Sequence, residues 1–335
     1  MSGDPDLPAD VGLTVVIPCY NEVDNVEHAC AEVLDELGHL DLELVFVDDG
    51  STDGTLEKIK RLALSDPRVR YISFTRNFGF EAAFSAGYRY ASRPWILHLD
   101  ADQQFPAAEA HKLIDVAAQG YDAVFGVRND RKDPLVRRLG TSAFHFLAAK
   151  VLRIELPKHA TAFRLVRTSL ARAIVDLRLG TPYFLATVPR LTNRYTTVPV
   201  SHRARQRGES KVGFRWLAGH AIGLFVNVSR RLTTLASVTA LGASGLAMLL
   251  ALGAATGLVN MAAGGTALFV LVGAMLGVLA LTMRFLVTIA ADQARPRLFY
   301  VREATIPIDP EDLLFEMSGP VPEQRLENVP EGARR

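Results

Sequence analysis

The sequence predicts an α/β fold, a doubly wound and mostly parallel sheet, followed by a membrane-associated C-terminal part. Three observations lead there. Apolar runs of strand length alternate with helix-length segments over the first ~130 residues. The first of those runs, Leu13 to Pro18, is continuously apolar rather than alternating, as in strands covered on both faces. Finally, no charged side chain occurs from Leu232 to Met283, a stretch long enough for two membrane spans of ~20 residues.

The 335 residues exceed the usual single domain. A net charge of +1 gives no global electrostatic case for nucleic acid. Cys19 and Cys30 lie too close, and are too few, for a disulfide framework or a zinc site, so free thiols in a reducing compartment are expected. Residues 1–10 are acidic, proline-bearing and lack a signal-peptide pattern. They are expected to be disordered, with the domain that follows staying in the cytosol.

Taken in order, Leu13 to Pro18 reads as the first buried strand. Asn21 is placed to cap a helix over Glu22 to Leu37, with acidic residues in its first turn. Leu42 to Val47 is the second strand and runs into Asp48-Asp49-Gly50-Ser51, a loop dense in turn residues. Leu56 to Leu64 is helical. Val69 to Phe74 is the third strand, followed by Arg76-Asn77-Phe78-Gly79 and a small-residue helix over Glu81 to Ala91. Trp95 to Leu99 is the fourth strand. A helix over Ala107 to Ala118 leads to a fifth strand, Tyr121 to Val127, and to the polar run from Arg128 to Asp133. Beyond it come a packed helix over Leu135 to Leu152, a short strand over Ala162 to Val166, a helix over Ser169 to Leu177 and a rim strand over Thr196 to Val200. The basic loop from His202 to Lys211 closes this domain, which is expected to span residues 11–212.

From Phe214 to Val228 apolar residues recur at helical spacing. The segment 213–231 is therefore read as an amphipathic helix at a bilayer interface, with a soluble core helix as the alternative. Residues 232–290 are read as a two-helix transmembrane hairpin, Leu232 to Val259 and Thr266 to Ile289. Arginines occur on the outer flanks only, so both flanks are expected on the cytosolic side. Residues 291–335 form a cytosolic C-terminal segment, expected to be mobile beyond Pro310.

Every polar cluster follows a predicted strand, and in doubly wound sheets ligands bind beyond the carboxyl ends of strands. Asp100-Ala101-Asp102 is the sharpest of these clusters. In extended backbone its two carboxylates face one spot, with Gln104 following on that side. Hard oxygen donors at a strand end suit Mg²⁺ or Mn²⁺, which share their remaining sites with water and phosphate. The same pattern also closes strands as a solvated turn.

Four motifs occur in one order: Pro18-Cys19-Tyr20-Asn21-Glu22, Asp48-Asp49-Gly50-Ser51, Asp100-Ala101-Asp102-Gln103-Gln104 with Pro106, and Arg205 with Gly208-Glu209-Ser210-Lys211. Together they resemble family 2 glycosyltransferases of the GT-A fold. With the two apolar segments and Arg295-Pro296-Arg297-Leu298-Phe299 beyond, the chain resembles the polyprenyl-phosphate glycosyltransferases most. That group includes bacterial undecaprenyl-phosphate glucosyl and aminoarabinosyl transferases and dolichol-phosphate mannose synthase. The resemblance implies transfer of one sugar from a nucleotide-sugar donor, UDP-linked, to a polyprenyl phosphate, by inverting single displacement at the cytosolic membrane face. It also implies a homo-oligomer, a tetramer in close relatives.

By that resemblance Asp102 and Gln104 hold the divalent ion, Mg²⁺ or Mn²⁺, with Asp100 beside it. Pro18, Tyr20, Glu22 and Asp49 line the base and ribose pocket, with Asp48, Ser51, Arg76, Asn77, Gly79 and Ala101 as further donor contacts. Arg128, Arg131, Arg205 and Lys211 suit the acceptor phosphate, because guanidinium groups match phosphate in a fork and lysine adds a point charge. One departure stands out. Relatives carry Gly-Asp-Phe-Arg where this chain has Thr161-Ala162-Phe163-Arg164. A lipid phosphate with a second pKa of ~6 is already mostly dianionic at neutral pH and needs no strong base, so this loss is expected to alter sugar recognition or rate. Three alternatives stand beside this reading: a GDP-mannose-dependent mannosyltransferase, a processive polysaccharide synthase, and a non-catalytic nucleotide-sugar-binding membrane scaffold. The synthase expects Gln-x-x-Arg-Trp, and Val212 stands where the Gln belongs ahead of Arg215-Trp216.

Overall fold

The computed structural model describes residues 12–128, 156–157, 159–177, 184–203, 230–258, 260–293 and 297–314. The chain forms two compact units. One comprises Met1–Lys132, Pro157–Glu209 and Arg297–Arg335, and the other Asp133–Leu156 and Ser210–Pro296.

The first unit is an eight-stranded sheet in the order β7-β5-β6-β4-β1-β2-β3-β8. Its strands are β1 (Leu13–Cys19), β2 (Leu42–Asp48), β3 (Val69–Phe74), β4 (Trp95–His98), β5 (Ala123–Arg128), β6 (Ala160–Arg167), β7 (Tyr195–Val200) and β8 (Val301–Ala304). β4, β1, β2 and β3 run parallel to one another, so their carboxyl ends share one edge. β6 is antiparallel to β4, with Arg164 opposite His98. The start of β6, including Ala162, therefore lies beside the end of β4.

Helices cover both faces, which is why β1 and β2 read as unbroken apolar runs. On one face pack α1 (Val26–Leu37), α2 (Thr55–Ser65) and α4 (Ala110–Ala117), through Val26, Val33, Ile59 and Leu113. On the other lie α3 (Phe80–Tyr90), α5 (Thr168–Asp176) and α6 (Phe184–Leu191), through Phe84, Tyr88, Ile174 and Phe184. α3 approaches β1 closely at Gly87, where an added Cβ would lie 2.3 Å from Val16 Cγ1. Cys19 and Cys30 are free and buried.

Three expectations are corrected. The first helix starts at Val26, not Glu22. Asn21 instead adopts a left-handed backbone (φ 53°) and accepts a hydrogen bond from Thr52 N–H, bridging two loops rather than capping. The C-terminal segment adds β8, antiparallel to β3, a four-residue strand too short to carry a pattern of its own. The chain past Pro310 is also held, at least to Leu314. Arg297 reaches Asp312 at 2.9 Å and Glu311 at 2.8 Å, the Tyr90 hydroxyl donates to Asp312, and Asp312 is buried.

The described part of the second unit is two helices, α7 (Arg230–Ala255) and α8 (Met261–Gln293), of 26 and 33 residues. Among the described residues no helix is at once long enough and apolar enough to cross a membrane. Both helices include residues whose side chains fall outside that description. The helix expected over Leu135 to Leu152 also lies outside the described residues, as does the interfacial helix but for Arg230 and Arg231, which open α7.

Candidate active site

The carboxyl ends of β1 and β2 are locked to each other. Asp49 N–H donates to the Cys19 carbonyl at 2.8 Å, and Asn21 N–H to Ser51 Oγ at 2.9 Å. Asp48 is fully buried, its oxygens accepting from Ser51 N–H (3.1 Å) and the Ser73 hydroxyl (2.7 Å). It builds the loop and faces no solvent. Gly50, at φ +68°, permits a close approach, since a Cβ there would sit 2.4 Å from the Arg76 carbonyl carbon.

Asp49 is 3% exposed, and its two oxygens accept from Phe78 N–H (2.6 Å) and Gly79 N–H (2.9 Å). Burial pushes its carboxyl up to about 6, against those two amides, which pull it down. Asp49 thereby ties the loop after β3, with Arg76, Asn77 and Gly79, to the end of β2. The Arg76 guanidinium lies over the Phe78 ring at 4.1 Å. At the carboxyl end of β1, Tyr20 is exposed, and Pro18 and Glu22 are half-buried.

The loop after β4 carries the carboxylate pair. Ala101 is buried beneath it, and Asp100, Asp102 and Gln104 are half-exposed. Asp102 Oδ1 accepts from Gln104 N–H at 3.2 Å. Gln103 takes a left-handed backbone (φ 53°) and donates its side-chain N–H to Glu32 at 2.7 Å. Gln104 Oε1 lies 3.3 Å from His202 Nε2 and 3.5 Å from Arg128 Nη2, and its carbonyl accepts from Arg203 N–H at 2.8 Å. Burial, then the neighbouring Arg128, lowers the affinity of His202 for a proton. The Arg128 guanidinium and the His202 imidazole thus meet the carboxylate loop at Gln104, while the Arg203 guanidinium turns to Glu32 at 3.1 Å.

Sequence reasoning expected Asp100, Asp102, Gln104 and Arg128 in one crevice. The fold sets Arg128 beside Gln104 at 3.5 Å, with Asp100 and Asp102 on the same loop, which turns at Ala101 and Asp102 and holds Gln103 left-handed rather than running extended. Arg131, Arg205 and Lys211 lie outside the described residues. Glu32 was missed. Its Oε1 accepts from Ala107 N–H (3.0 Å) and Arg203 Nη1 (3.1 Å) while Oε2 holds Gln103. A single glutamate within an amphipathic helix carries no signal of such a role. His98, Tyr88 and Arg164, buried behind Asp100, were missed for the same reason.

Among the described residues no three His, Cys, Asp or Glu side chains gather to hold a metal. Asp102 and Gln104 nevertheless fit Mg²⁺ or Mn²⁺: two hard oxygen donors on one loop, solvent-accessible, with coordination left for a diphosphate.

Residues 14–175 match the family described as glycosyl transferase family 2. An uncharacterized glycosyltransferase of Synechocystis sp. is 32% identical over 219 residues, covering 64% of this chain and 69% of that protein. The undecaprenyl-phosphate 4-deoxy-4-formamido-L-arabinose transferase of Edwardsiella ictaluri is 31% identical over 302 residues, 86% of this chain and 92% of that one. The chain belongs to glycosyltransferase family 2. Among solved structures, glucosyl-3-phosphoglycerate synthase of Mycobacterium tuberculosis, in complex with Mn²⁺, UDP and glucosyl-3-phosphoglycerate, covers 66% of this family 2 chain and 80% of its own, at 17% identity and a TM-score of 0.47. A mannosyltransferase of Pyrobaculum calidifontis, in complex with GDP-Man and Mn²⁺, covers 85% and 89%, at 20% identity and a TM-score of 0.44. This glycosyltransferase of family 2 holds Arg128 and His202 beside Gln104 of its carboxylate loop.

Proposed function

We propose that this glycosyltransferase moves one sugar from a nucleotide-sugar donor, UDP-linked, to a polyprenyl phosphate of the undecaprenyl type. The observation that carries the reading is Gln104, whose Oε1 lies 3.5 Å from Arg128 Nη2 and 3.3 Å from His202 Nε2 on the loop that also carries Asp102. It supports a reading in which a diphosphate-binding loop stands beside a cation able to hold a second phosphate. Similarity over 92% of an undecaprenyl-phosphate transferase supports the acceptor class.

In this reading Pro18, Tyr20, Glu22, Ser51 and the loop tied by Asp49 bind the nucleotide, with Asp100 facing the ribose and sugar side. Asp102 and Gln104 hold the divalent ion, which when bound neutralises charge growing on the diphosphate leaving group. Arg128, with Arg131, Arg205 and Lys211, fixes the acceptor phosphate. One of its oxygens forms the bond to the anomeric carbon as the carbon–oxygen bond to the diphosphate breaks, inverting configuration. The acceptor oxygen is already ionised, so Ala162 in place of a carboxylate leaves the reaction without a missing base.

α7 and α8, at ~1.5 Å per residue, extend ~39 and ~50 Å, more than the ~30 Å of a bilayer core. The absence of charge from Leu232 to Met283 and the exposed Leu241, Leu249, Phe269 and Leu276 support reading them as a transmembrane hairpin. The outer arginines support a catalytic unit on the cytosolic side of the inner membrane.

The test is transfer of labelled sugar from a panel of UDP- and GDP-sugars by membranes supplied with undecaprenyl phosphate and Mg²⁺ or Mn²⁺. Lipid-linked product from a UDP-sugar is expected. Product from GDP-mannose alone would reassign the donor, and a donor turned over equally without lipid phosphate would overturn the acceptor.

A further inference from the structure

Behind Asp100, three buried polar side chains form a chain of contacts that the reaction above does not use. Tyr88 and His98 are fully buried and Arg164 is 3% exposed. Arg164 Nε donates to the Tyr88 hydroxyl oxygen at 2.7 Å. That hydroxyl lies 3.0 Å from His98 Nδ1, and His98 Nε2 lies 3.6 Å from Asp100 Oδ1.

The direction of donation follows from chemistry. A guanidinium only donates. Tyr88 therefore accepts from Arg164 and turns its own hydrogen toward His98. His98 Nδ1 must then accept, so the ring carries its hydrogen on Nε2, the atom that faces Asp100. His98 Nε2 and Arg164 Nη2 are buried with no hydrogen-bond partner. A buried N–H left unmatched is costly, and one aimed at a carboxylate 3.6 Å away is poised rather than satisfied. Site hydrogen bonds of this kind shorten when substrate closes on them.

The surroundings hold the chain in place. Phe80, Phe84 and Tyr88, at i, i+4 and i+8 along α3, present one aromatic face. The His98 ring meets Phe80 at 5.4 Å, Phe84 at 5.9 Å and Tyr88 at 5.9 Å. The Arg164 guanidinium lies over Phe184 at 4.3 Å, Phe84 at 5.0 Å and Tyr88 at 5.4 Å. Aromatic faces thus stabilise a cation that has no carboxylate partner among the described residues.

We infer that Arg164, Tyr88 and His98 are positioning residues, a buried relay that presents the His98 Nε2–H to Asp100 and sets how that carboxylate faces the donor. The inference rests on the proposed placement of Asp100 at the donor. The relay sits on the face of β6 that carries Ala162. It supplies an orienting contact to Asp100 in a chain that lacks a carboxylate at that position.

The test uses the full chain in detergent, with ring-labelled ¹⁵N-histidine as a readout that needs no substrate. The His98 resonances, assigned by their loss in His98→Gln, are expected to report the neutral Nε2–H tautomer near pH 7. Tyr88→Phe is expected to mix the two tautomers. In kinetics His98→Leu, which keeps the volume and removes the donor, is expected to lower kcat roughly tenfold. The KM for lipid phosphate should stay within about twofold. His98→Gln keeps an N–H near the Nε2 position and should retain kcat within about threefold of wild type. An Nδ1–H tautomer in the wild type, or equal kcat in the Leu and Gln variants, overturns the inference. A wild type with the Nε2–H tautomer that moves no sugar to polyprenyl phosphate refutes the proposed function instead, and the Leu and Gln variants are then compared on nucleotide-sugar hydrolysis.

Discussion

Glu32 on α1 and Arg203, 171 residues later, meet at 3.1 Å, and the same carboxylate holds Gln103 of the Asp100–Gln104 loop at 2.7 Å. One side chain thus links the Asp100–Gln104 loop to the first residues of the basic segment. Replacing it, as in Glu32→Ala, removes charge-assisted hydrogen bonds worth about 1–3 kcal/mol in the folded protein. We expect a higher divalent-ion concentration for half-maximal transfer and a lower kcat, with the fold retained by circular dichroism. An unchanged ion requirement would show that the loop holds itself.

Asp102 is half-exposed and makes a local bond to Gln104 N–H. Asp102→Asn should therefore fold normally. Transfer is expected to fall by ~10²-fold or more, as when a preorganised electrostatic group is removed from a transition state. A labelled-sugar assay across a Mn²⁺ series checks this. Substantial transfer by the variant would move the ion to other ligands.

The Asp49 carboxyl, pushed up to about 6 by burial, titrates in the unfolded chain near ~3.9. Between those values the folded state binds more protons than the unfolded one. This group's contribution to stability is therefore greatest below pH ~4 and declines as pH rises to about 6, after which it is level. Thermal unfolding of wild type and Asp49→Asn over this range should give a difference that changes most between those limits.

His98 works in the opposite sense. Burial, reinforced by Arg164, lowers it to about 4, from ~6.5 in an unfolded chain. The unfolded state binds the extra proton, so stability from this group is full above pH ~6.5 and is lost as pH falls toward 4. His98→Gln should remove that acid sensitivity, which the same melting series will detect.

Gly87 offers a check on packing. A methyl group there meets Val16 at 2.3 Å, with β1 and α3 both fixed by their neighbours. Gly87→Ala is expected to destabilise the sheet unit by about 1–3 kcal/mol, as overpacking does. Paired with Val16→Ala, which opens the space, much of the loss should return. If the double variant is as unstable as the sum of the two, the contact is not the cause.

Sequence alone determined the mostly parallel central sheet. β1, β2 and β4 are largely apolar runs ended by turn residues, and local pattern suffices there because they are buried on both faces, whereas β3 leaves Arg70 and Tyr71 half-exposed. Asp100, Asp102 and Gln104 stood out as oxygen donors after a strand, but the extended backbone expected there is a turn with Gln103 left-handed, so where those oxygens point was decided by the fold. Tertiary structure decided the rest. β8 is four residues long and exists because β3 offers an open edge, while Arg297 and Asp312 anchor the chain that returns to it. Asp48 and Asp49 look alike in the sequence, yet packing buries both and spends their oxygens on Ser51, Ser73, Phe78 and Gly79. Glu32, His98, Tyr88 and Arg164 come from four separate elements, and no local pattern records that helix docking and strand order will place them behind one loop.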